Sequence, residues 1–273
     1  MWLSKEKRFL YTRIIILLTT IGWIGAAFSG FNGSPLWYGG FVLCFWVSFG
    51  LLNYHDRSSL WLAFKRPYLF SLMFTALASV LFLMDMFGFN TDIWFYPFYS
   101  GSGLLFVWLV LYPFGGLSVL ELLYFLAGCL GEPLCFKELY ITKWHRFFDA
   151  FEHILFLLMI AVIILGATMV HGQFALPLMT GIAVLWILTS LIKMRFHVND
   201  LGQYLLIVIL AVMLATISHA LPHTIAREWV GLNTTFLDFF AFGLPLWVWI
   251  GSFWFTLIPL RLWMFLLSYI EVR

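Results

Sequence analysis

The chain has 273 residues, a length that would ordinarily correspond to one or two soluble domains. Its composition excludes that class: 63% of the residues are hydrophobic and 10% are charged, against roughly 45–50% and 25% in soluble globular chains. The formal net charge is only +2 and the basic residues are spread along the chain, which argues against nucleic-acid binding. We therefore expect a single integral membrane domain over residues 1–273.

Short motifs do not identify the chemistry. The sequence contains no HExxH, GxSxG, P-loop or GxGxxG pattern. The three cysteines form no C-x-x-C pair, so we predict neither a disulfide framework nor a Cys-rich zinc site. We expect Cys44, Cys129 and Cys135 to be buried as small apolar residues.

Apolar runs of about 20 residues, the length that crosses the hydrocarbon layer, predict an all-α polytopic transmembrane helix bundle of about eight spanning helices. The predicted spans are residues 10–29, 36–53, 68–88, 94–112, 151–170, 175–192, 201–219 and 237–258. The stretch 259–270 is also apolar but contains Pro259 and Arg261. We predict that it continues the last span or lies at the interface.

One apolar stretch, residues 117–130, is predicted not to cross. Its length of about 14 residues covers only about 21 Å as a helix. Ser118 and Glu121 have the spacing of a capping box, in which Glu121 would be the third helical residue. Pro113 and the Gly-Gly pair after it predict a sharp turn just before. We therefore expect a short re-entrant or interfacial helix.

The distribution of basic residues predicts the orientation. If residues 117–130 do not cross and the N-terminus is cytoplasmic, fourteen of the 15 basic residues lie inside and only Arg227 lies outside. If that stretch crossed, eight would lie inside and seven outside. The first distribution obeys the positive-inside rule. It predicts both termini in the cytoplasm, with the protein in the bacterial inner (cell) membrane.

The densest polar group lies at residues 144–153, WHRFFDAFEH, where the fifth predicted span begins. On a helix, His145, Asp149, Glu152 and His153 share an arc of about 100°. Two imidazoles and two carboxylates at this spacing can bind Zn, Fe or Mn, or perform acid–base chemistry. The structural alternative is an amphipathic helix start whose acids lie near the positive end of the helix dipole.

Further polar residues are predicted at the same membrane surface. His197 and Asp200 belong to the sequence HVND before the seventh span, where Asn199 or Asp200 could instead cap the helix. The others are Asn53, His55, Asp56, Glu121, Glu132 and Glu138. Because Glu121 already has a structural role in the predicted capping box, we rank it lower. The predicted metal ligands are His145, Asp149, His153 and His197.

The opposite surface carries a sparser group that could bind a metal or handle protons. Its residues are His171, His219, His223, Asp85 and Asp238. The fifth and seventh spans also carry a histidine at each end, which suggests a bis-His cytochrome with two b-type haems, His153 facing His197 and His171 facing His219. The spacings are about 27 Å and about 33 Å along the helices, and the second exceeds the hydrocarbon thickness of about 30 Å.

The leading functional prediction is a membrane-embedded enzyme that acts on a lipid-soluble substrate such as a lipid, isoprenoid or quinone. Its candidate catalytic residues are His145, Asp149, Glu152, His153, His197 and Asp200. The 31 Phe and 14 Trp residues could line an apolar cavity for such a substrate. The alternatives are the haem cytochrome, with His171 and His219 as cofactor ligands, and a transporter or non-catalytic subunit of a membrane complex.

Overall fold

A computed structural model provides the structure, which is predominantly helical. It describes residues 9–11, 13–14, 35–53, 58–90, 94–95, 101–129, 143–168, 175–196, 209–217, 230–231, 240–241 and 244–271. The helices whose bounds the structure gives are α1 (Pro35–Leu52), α2 (Ser59–Lys65), α3 (Pro67–Asn90), α4 (Ser102–Phe106), α5 (Tyr112–Cys129), α6 (Lys143–Thr168), α7 (Ala175–Phe196) and α8 (Leu246–Glu271), with a π-helical turn at Val107–Leu111 between α4 and α5. Residues 209–217 are helical as well.

Four two-residue strands form two antiparallel pairs outside the helices. Strand β1 (Trp94–Phe95) pairs with β2 (Val230–Gly231), and β3 (Phe240–Ala241) pairs with β4 (Leu244–Pro245). β4 leads directly into α8. Strands this short serve as connections between helices, so the fold remains a helix bundle.

Within the part of the chain that the structure describes, three helical segments are long and apolar enough to cross a membrane: Pro67–Asn90, Val107–Leu126 and Ala150–Thr168. Shorter apolar helical segments are Val42–Leu52, Pro177–Trp186 and Val248–Trp263. Large apolar side chains lie exposed on the outer faces, among them Leu72, Leu157 and Leu178. Apolar helices with apolar outer faces are typical of membrane proteins, in which lipid replaces water as the solvent.

The short re-entrant helix predicted at residues 117–130 is wrong, because the chain is helical without interruption from Ser102 to Cys129. The stretch forms the end of one candidate span, Val107–Leu126, which replaces the predicted span at 94–112. We call the whole segment 102–129 the central helix. It contains the most enclosed candidate span: 67% of its most apolar 18 residues are buried, against 33% in each of the other two candidate spans.

The Pro-Phe-Gly-Gly sequence at residues 113–116 allows close helix packing and does not form a turn. A Cβ atom on Gly116 would lie 3.3 Å from Cγ of Pro259 in α8, so the glycine allows the two helices to approach closely. The π-helical turn immediately precedes Pro113, whose ring removes one backbone donor. Ser118 donates its hydroxyl to the carbonyl of Gly115 at 2.6 Å, so it does not form the predicted capping box.

The C-terminal helix also differs from its predicted bounds. It begins at Leu246 rather than at 237, and it continues through Pro259 and Arg261 to Glu271. The prediction that 259–270 continues the last span is therefore confirmed as a helix. Cys44 is exposed rather than buried, and it is a free cysteine.

The core lies where the central helix packs against α1, α3 and α8, while α6 packs between α3 and α7. Its largest buried side chains include Trp186, Trp254, Trp263 and Phe87. Gly166 of α6 is required by this packing, because a Cβ atom there would overlap the ring of Phe87 in α3. At the same end of this helix pair, Asn90 donates its side-chain amide to the carbonyl of Ala167.

Candidate functional site

The most enclosed carboxylate among the described residues belongs to Glu121, which has no exposed surface. Ser59 donates to its Oε1 twice, from the backbone N–H at 2.6 Å and from the hydroxyl at 2.5 Å. The side-chain amide of Asn53 donates to Oε2 at 3.0 Å and to the backbone carbonyl of Glu121 at 2.6 Å. Three elements thus converge on one carboxylate: the end of α1, the start of α2 and the central helix.

The local sequence around Ser59 explains why these donors point at the carboxylate. Ser58 caps α2, its hydroxyl accepting from the N–H of Trp61 at 3.0 Å, and this starts a helix whose first N–H groups are free to donate elsewhere. A carboxylate at a helix N-terminus also gains from the helix dipole. Trp46 of α1 donates its indole N–H to the Ser59 hydroxyl at 2.9 Å, which fixes that hydroxyl between a donor and an acceptor.

Sequence reasoning placed Asn53 and Glu121 at the same membrane surface but assigned the carboxylate to a local cap. Two sequence signals favoured the observed role. The Ser-Ser pair at 58–59 directly before an apolar stretch is typical of a helix start. A glutamate in a span also needs a partner within the protein. The separation of 62 residues between Ser59 and Glu121 hides that partner from any local pattern.

A second buried carboxylate, Glu152 of α6, forms an ion pair with Arg261 of α8. The distance from Oε2 of Glu152 to the guanidinium nitrogen is 2.6 Å, and the two side chains are 5% and 13% exposed. The guanidinium carbon also lies 5.5 Å from the ring centre of Trp186 in α7, a cation–π distance. The pair therefore joins α6, α7 and α8.

The two carboxylate centres lie near the same end of the bundle. Tyr124, one helical turn beyond Glu121, accepts a hydrogen bond from the indole N–H of Trp263, two residues after Arg261. The rings of Tyr124 and Trp263 meet edge to face, with centres 6.4 Å apart. This contact joins the central helix to α8 between the two centres.

The predicted stripe on α6 does not face a single environment. Glu152 is buried against Arg261, whereas His153, the next residue, is exposed. His145 and Asp149 lie on the same helix, but their side chains are not among those described. The joint site formed by these four residues therefore stays a prediction.

The other predicted site residues lie outside the described residues: His197, Asp200, His171 and His219. Among the described residues, no group of three His, Cys, Asp or Glu side chains is close enough to hold a metal ion. Glu152 of the predicted stripe is paired with a cation, Arg261. The guanidinium binds one carboxylate oxygen of Glu152, and it occupies the position beside that oxygen that a metal ion would need.

The opposite end of the bundle contains a third buried carboxylate. Asp85 of α3 accepts a hydrogen bond from the indole N–H of Trp108, which lies in the π-helical turn. Phe82 and Phe89 contact the Trp108 ring edge-on, with ring centres 5.0 Å and 6.2 Å away. Asp85 was predicted at this end, and its carboxylate accepts from an indole; His171 and His219 lie outside the described residues.

The cytochrome alternative gains no geometric support from the described part of α6. A haem between helices needs space near its ligands, and Gly166 could have provided it. The position beside Gly166 is filled by the ring of Phe87. His153, the one predicted haem ligand whose side chain is described, is exposed.

Comparison with protein families, with curated proteins and with solved structures found no match. Function must therefore be inferred from the residues themselves. The geometry offers two carboxylate centres at one end of an apolar bundle, one held by neutral donors and one by a guanidinium.

Proposed function

We propose that this is a multi-pass integral membrane protein that binds and converts a lipid-soluble substrate, such as a lipid, isoprenoid or quinone. The substrate's polar end would lie at the bundle end that carries Glu121 and Glu152. The observation that carries the proposal is the burial of two carboxylates near one end of helices that are otherwise apolar. Ionisable groups at membrane depth are costly, and they are usually retained for function.

We also propose eight crossings with both termini cytoplasmic, in the cell membrane. The shift of the crossing from 94–112 to Val107–Leu126 leaves the number of crossings between Arg66 and Lys143 at two, so the predicted charge distribution is unchanged. The contacts between helix ends agree with this threading. Asp85–Trp108 and Asn90–Ala167 lie near the predicted outer ends.

At the predicted cytoplasmic ends, Asn53 contacts the central helix. Tyr124 of the central helix and Glu152 of α6 each contact α8. Every one joins helix ends that the charge distribution assigns to the same side. A threading with one crossing more or fewer between these helices would bring opposite ends together, so the contacts support which helix ends share a side. The assignment of that side to the cytoplasm rests on the basic residues.

The reaction is proposed to use the predicted polar stripe at the start of α6. His145 and His153 would act as metal ligands or as general acid and base, with Asp149 orienting an imidazole. Glu152, held by Arg261, would position the helix start rather than bind the metal. His197 and Asp200 would complete the site, and Zn, Fe or Mn are the candidate metals.

The test compares the lipids of cells that produce the intact chain with those of cells that produce variants. We expect the chain to change specific lipid species in an untargeted mass-spectrometric profile, and we expect His145→Ala and Asp149→Asn to abolish that change. Phe147→Leu is the matched control on the same helix, because Phe147 is 59% exposed. Folded histidine and aspartate variants that reproduce the full change would contradict the proposal.

One observation favours a second candidate, a non-catalytic subunit of a membrane complex. Glu121 is fully enclosed and its oxygens already accept several hydrogen bonds, as expected of a purely structural carboxylate. For that function, the intact chain would leave the lipid profile unchanged. Metal analysis of the detergent-purified protein would then find no stoichiometric Zn, Fe or Mn, and the absorption spectrum would have no Soret band.

A further inference from the structure

The connection between α1 and α3 presents aromatic and basic side chains where α3 begins. Phe64 is 61% exposed and Tyr68 is 67% exposed. Lys65 between them is exposed, and Arg66 is half-buried. We call the surface formed by Phe64, Lys65, Arg66 and Tyr68 the collar. Its position follows from Pro67, which is both the first residue of α3 and the first residue of a candidate span.

The collar is built on a rigid base. Ser59, Leu60 and Leu62 of α2 are all buried, so the first half of this short helix is anchored in the core. The carboxylate of Glu121 fixes the start of α2, because it accepts hydrogen bonds from the N–H and the hydroxyl of Ser59. The end of α2 lies outside the core, and Phe64 and Lys65 are exposed there.

Arg66 joins the two helices through its backbone. Its N–H donates to the carbonyl of Leu62 at 2.8 Å, and its own carbonyl accepts from Leu69 at 3.0 Å and from Phe70 at 3.1 Å. The basic pair is therefore held between two hydrogen-bonded helices rather than on a free loop. A fixed backbone loses less conformational freedom on binding than a flexible loop would.

The charge of this segment has one sign. From Ser58 to Met84 the sequence contains Lys65 and Arg66 but no aspartate or glutamate. Tyrosine, here Tyr68, favours the membrane interface, where its ring meets the acyl chains and its hydroxyl meets water. Basic residues beside a span attract anionic lipids. The collar combines both features at one position of the bundle.

We propose that the collar binds the headgroup of an anionic phospholipid in the leaflet where α3 begins. Lys65 and Arg66 would bind the headgroup, while Phe64 and Tyr68 would pack beside its acyl chains. The inference rests on the proposed membrane crossing of α3, and it is independent of whether the protein is an enzyme.

The test measures lipid selectivity of the full chain. The purified protein is placed in nanodiscs that contain equal amounts of phosphatidylglycerol and phosphatidylcholine with identical acyl chains, and native mass spectrometry reads which lipid is retained. We expect a preference for phosphatidylglycerol that falls roughly tenfold or more in Lys65→Gln/Arg66→Gln, since each positive charge contributes about fivefold. High salt should also weaken the preference.

The matched control is Lys193→Gln/Arg195→Gln, which removes the same charge from the end of α7. This control should keep the preference, and Lys65→Arg/Arg66→Lys should keep most of it. Equal losses in the collar variant and the α7 control would mean diffuse attraction and would overturn the proposal, as would an unchanged preference in the collar variant. A thermal midpoint measured in phosphatidylcholine alone checks that each variant is folded. If the Gln variant is not folded, lipid selectivity is measured with the conservative variant Lys65→Arg/Arg66→Lys instead.

Discussion

Glu121 and Glu152 are both buried near the same end of the bundle, but they are stabilised in different ways. Glu121 accepts hydrogen bonds from Ser59 and Asn53, and all of these described donors are neutral. Glu152 is paired with the guanidinium of Arg261. The first arrangement spreads the carboxylate over several donors and a helix N-terminus, whereas the second depends on one opposite charge.

This difference predicts different responses to mutation. A buried ion pair is coupled, so loss of one member leaves the other charge uncompensated. A carboxylate held by neutral donors loses its contacts one at a time, because each donor can be removed separately. The following variants test this contrast.

The largest effect is expected at the ion pair. Arg261→Gln should lower the free energy of unfolding by about 3–5 kcal/mol, because it leaves the Glu152 carboxylate buried without its cation. Glu152→Gln combined with Arg261→Gln should recover most of that loss. Chemical unfolding in detergent measures both, and a double variant that is no more stable than Arg261→Gln alone would show that the two residues are not coupled.

A smaller effect is expected at Glu121→Gln. The amide would direct N–H groups at the Ser59 donors and leave at least one of them unsatisfied, at a cost of about 1–3 kcal/mol. The same unfolding measurement applies. Adding Arg261→Gln should give a nearly additive loss, since the two centres share no hydrogen bond among the described residues; strong coupling between them would argue against two separate centres.

The close packing between the central helix and α8, which carry Glu121 and Arg261, can be tested with Gly116→Ala. The new Cβ atom would lie 3.3 Å from Pro259, so the helices must separate slightly, at a cost of about 1 kcal/mol. Gly103→Ala in α4 is the matched control, since nothing lies within 4 Å of a Cβ atom there. If both alanines gave the same unfolding midpoint, the close approach of the central helix and α8 would be in doubt.

An effect of similar size is expected at the cap of α2. Ser58→Ala removes the acceptor for the Trp61 N–H and should cost about 1 kcal/mol. Ser58→Asn, which can also cap a helix, should restore most of the stability. Should alanine and asparagine behave alike, the hydroxyl would have no capping role.

Composition and apolar length were sufficient to predict an apolar helical bundle, but not the ends of its helices. Pro113 and the glycines after it are equally consistent with a turn and with close helix packing, and only the position of Pro259 on another helix distinguishes the two. The bounds of α8 were misjudged for a related reason, since a proline inside a packed helix does not always end it.

The candidate site was less predictable, because its partners are distant in sequence. Helical spacing predicted that four residues share one side of α6, but it could not reveal that Arg261, 109 residues away, pairs with Glu152. Glu121 was ranked lower because its spacing from Ser118 also fits a local capping box. Local patterns describe one helix at a time, whereas buried polar groups are paired across helices.

The central claim is that the central helix crosses the membrane once, so that the carboxylate-bearing ends share one side. Single cysteines at Lys65 and Lys143, in a chain whose own three cysteines are replaced, can be labelled with a membrane-impermeant maleimide in sealed vesicles of known orientation. We predict that both positions are labelled from the same side, with two crossings between them. Labelling of Lys65 and Lys143 from opposite sides would contradict this arrangement.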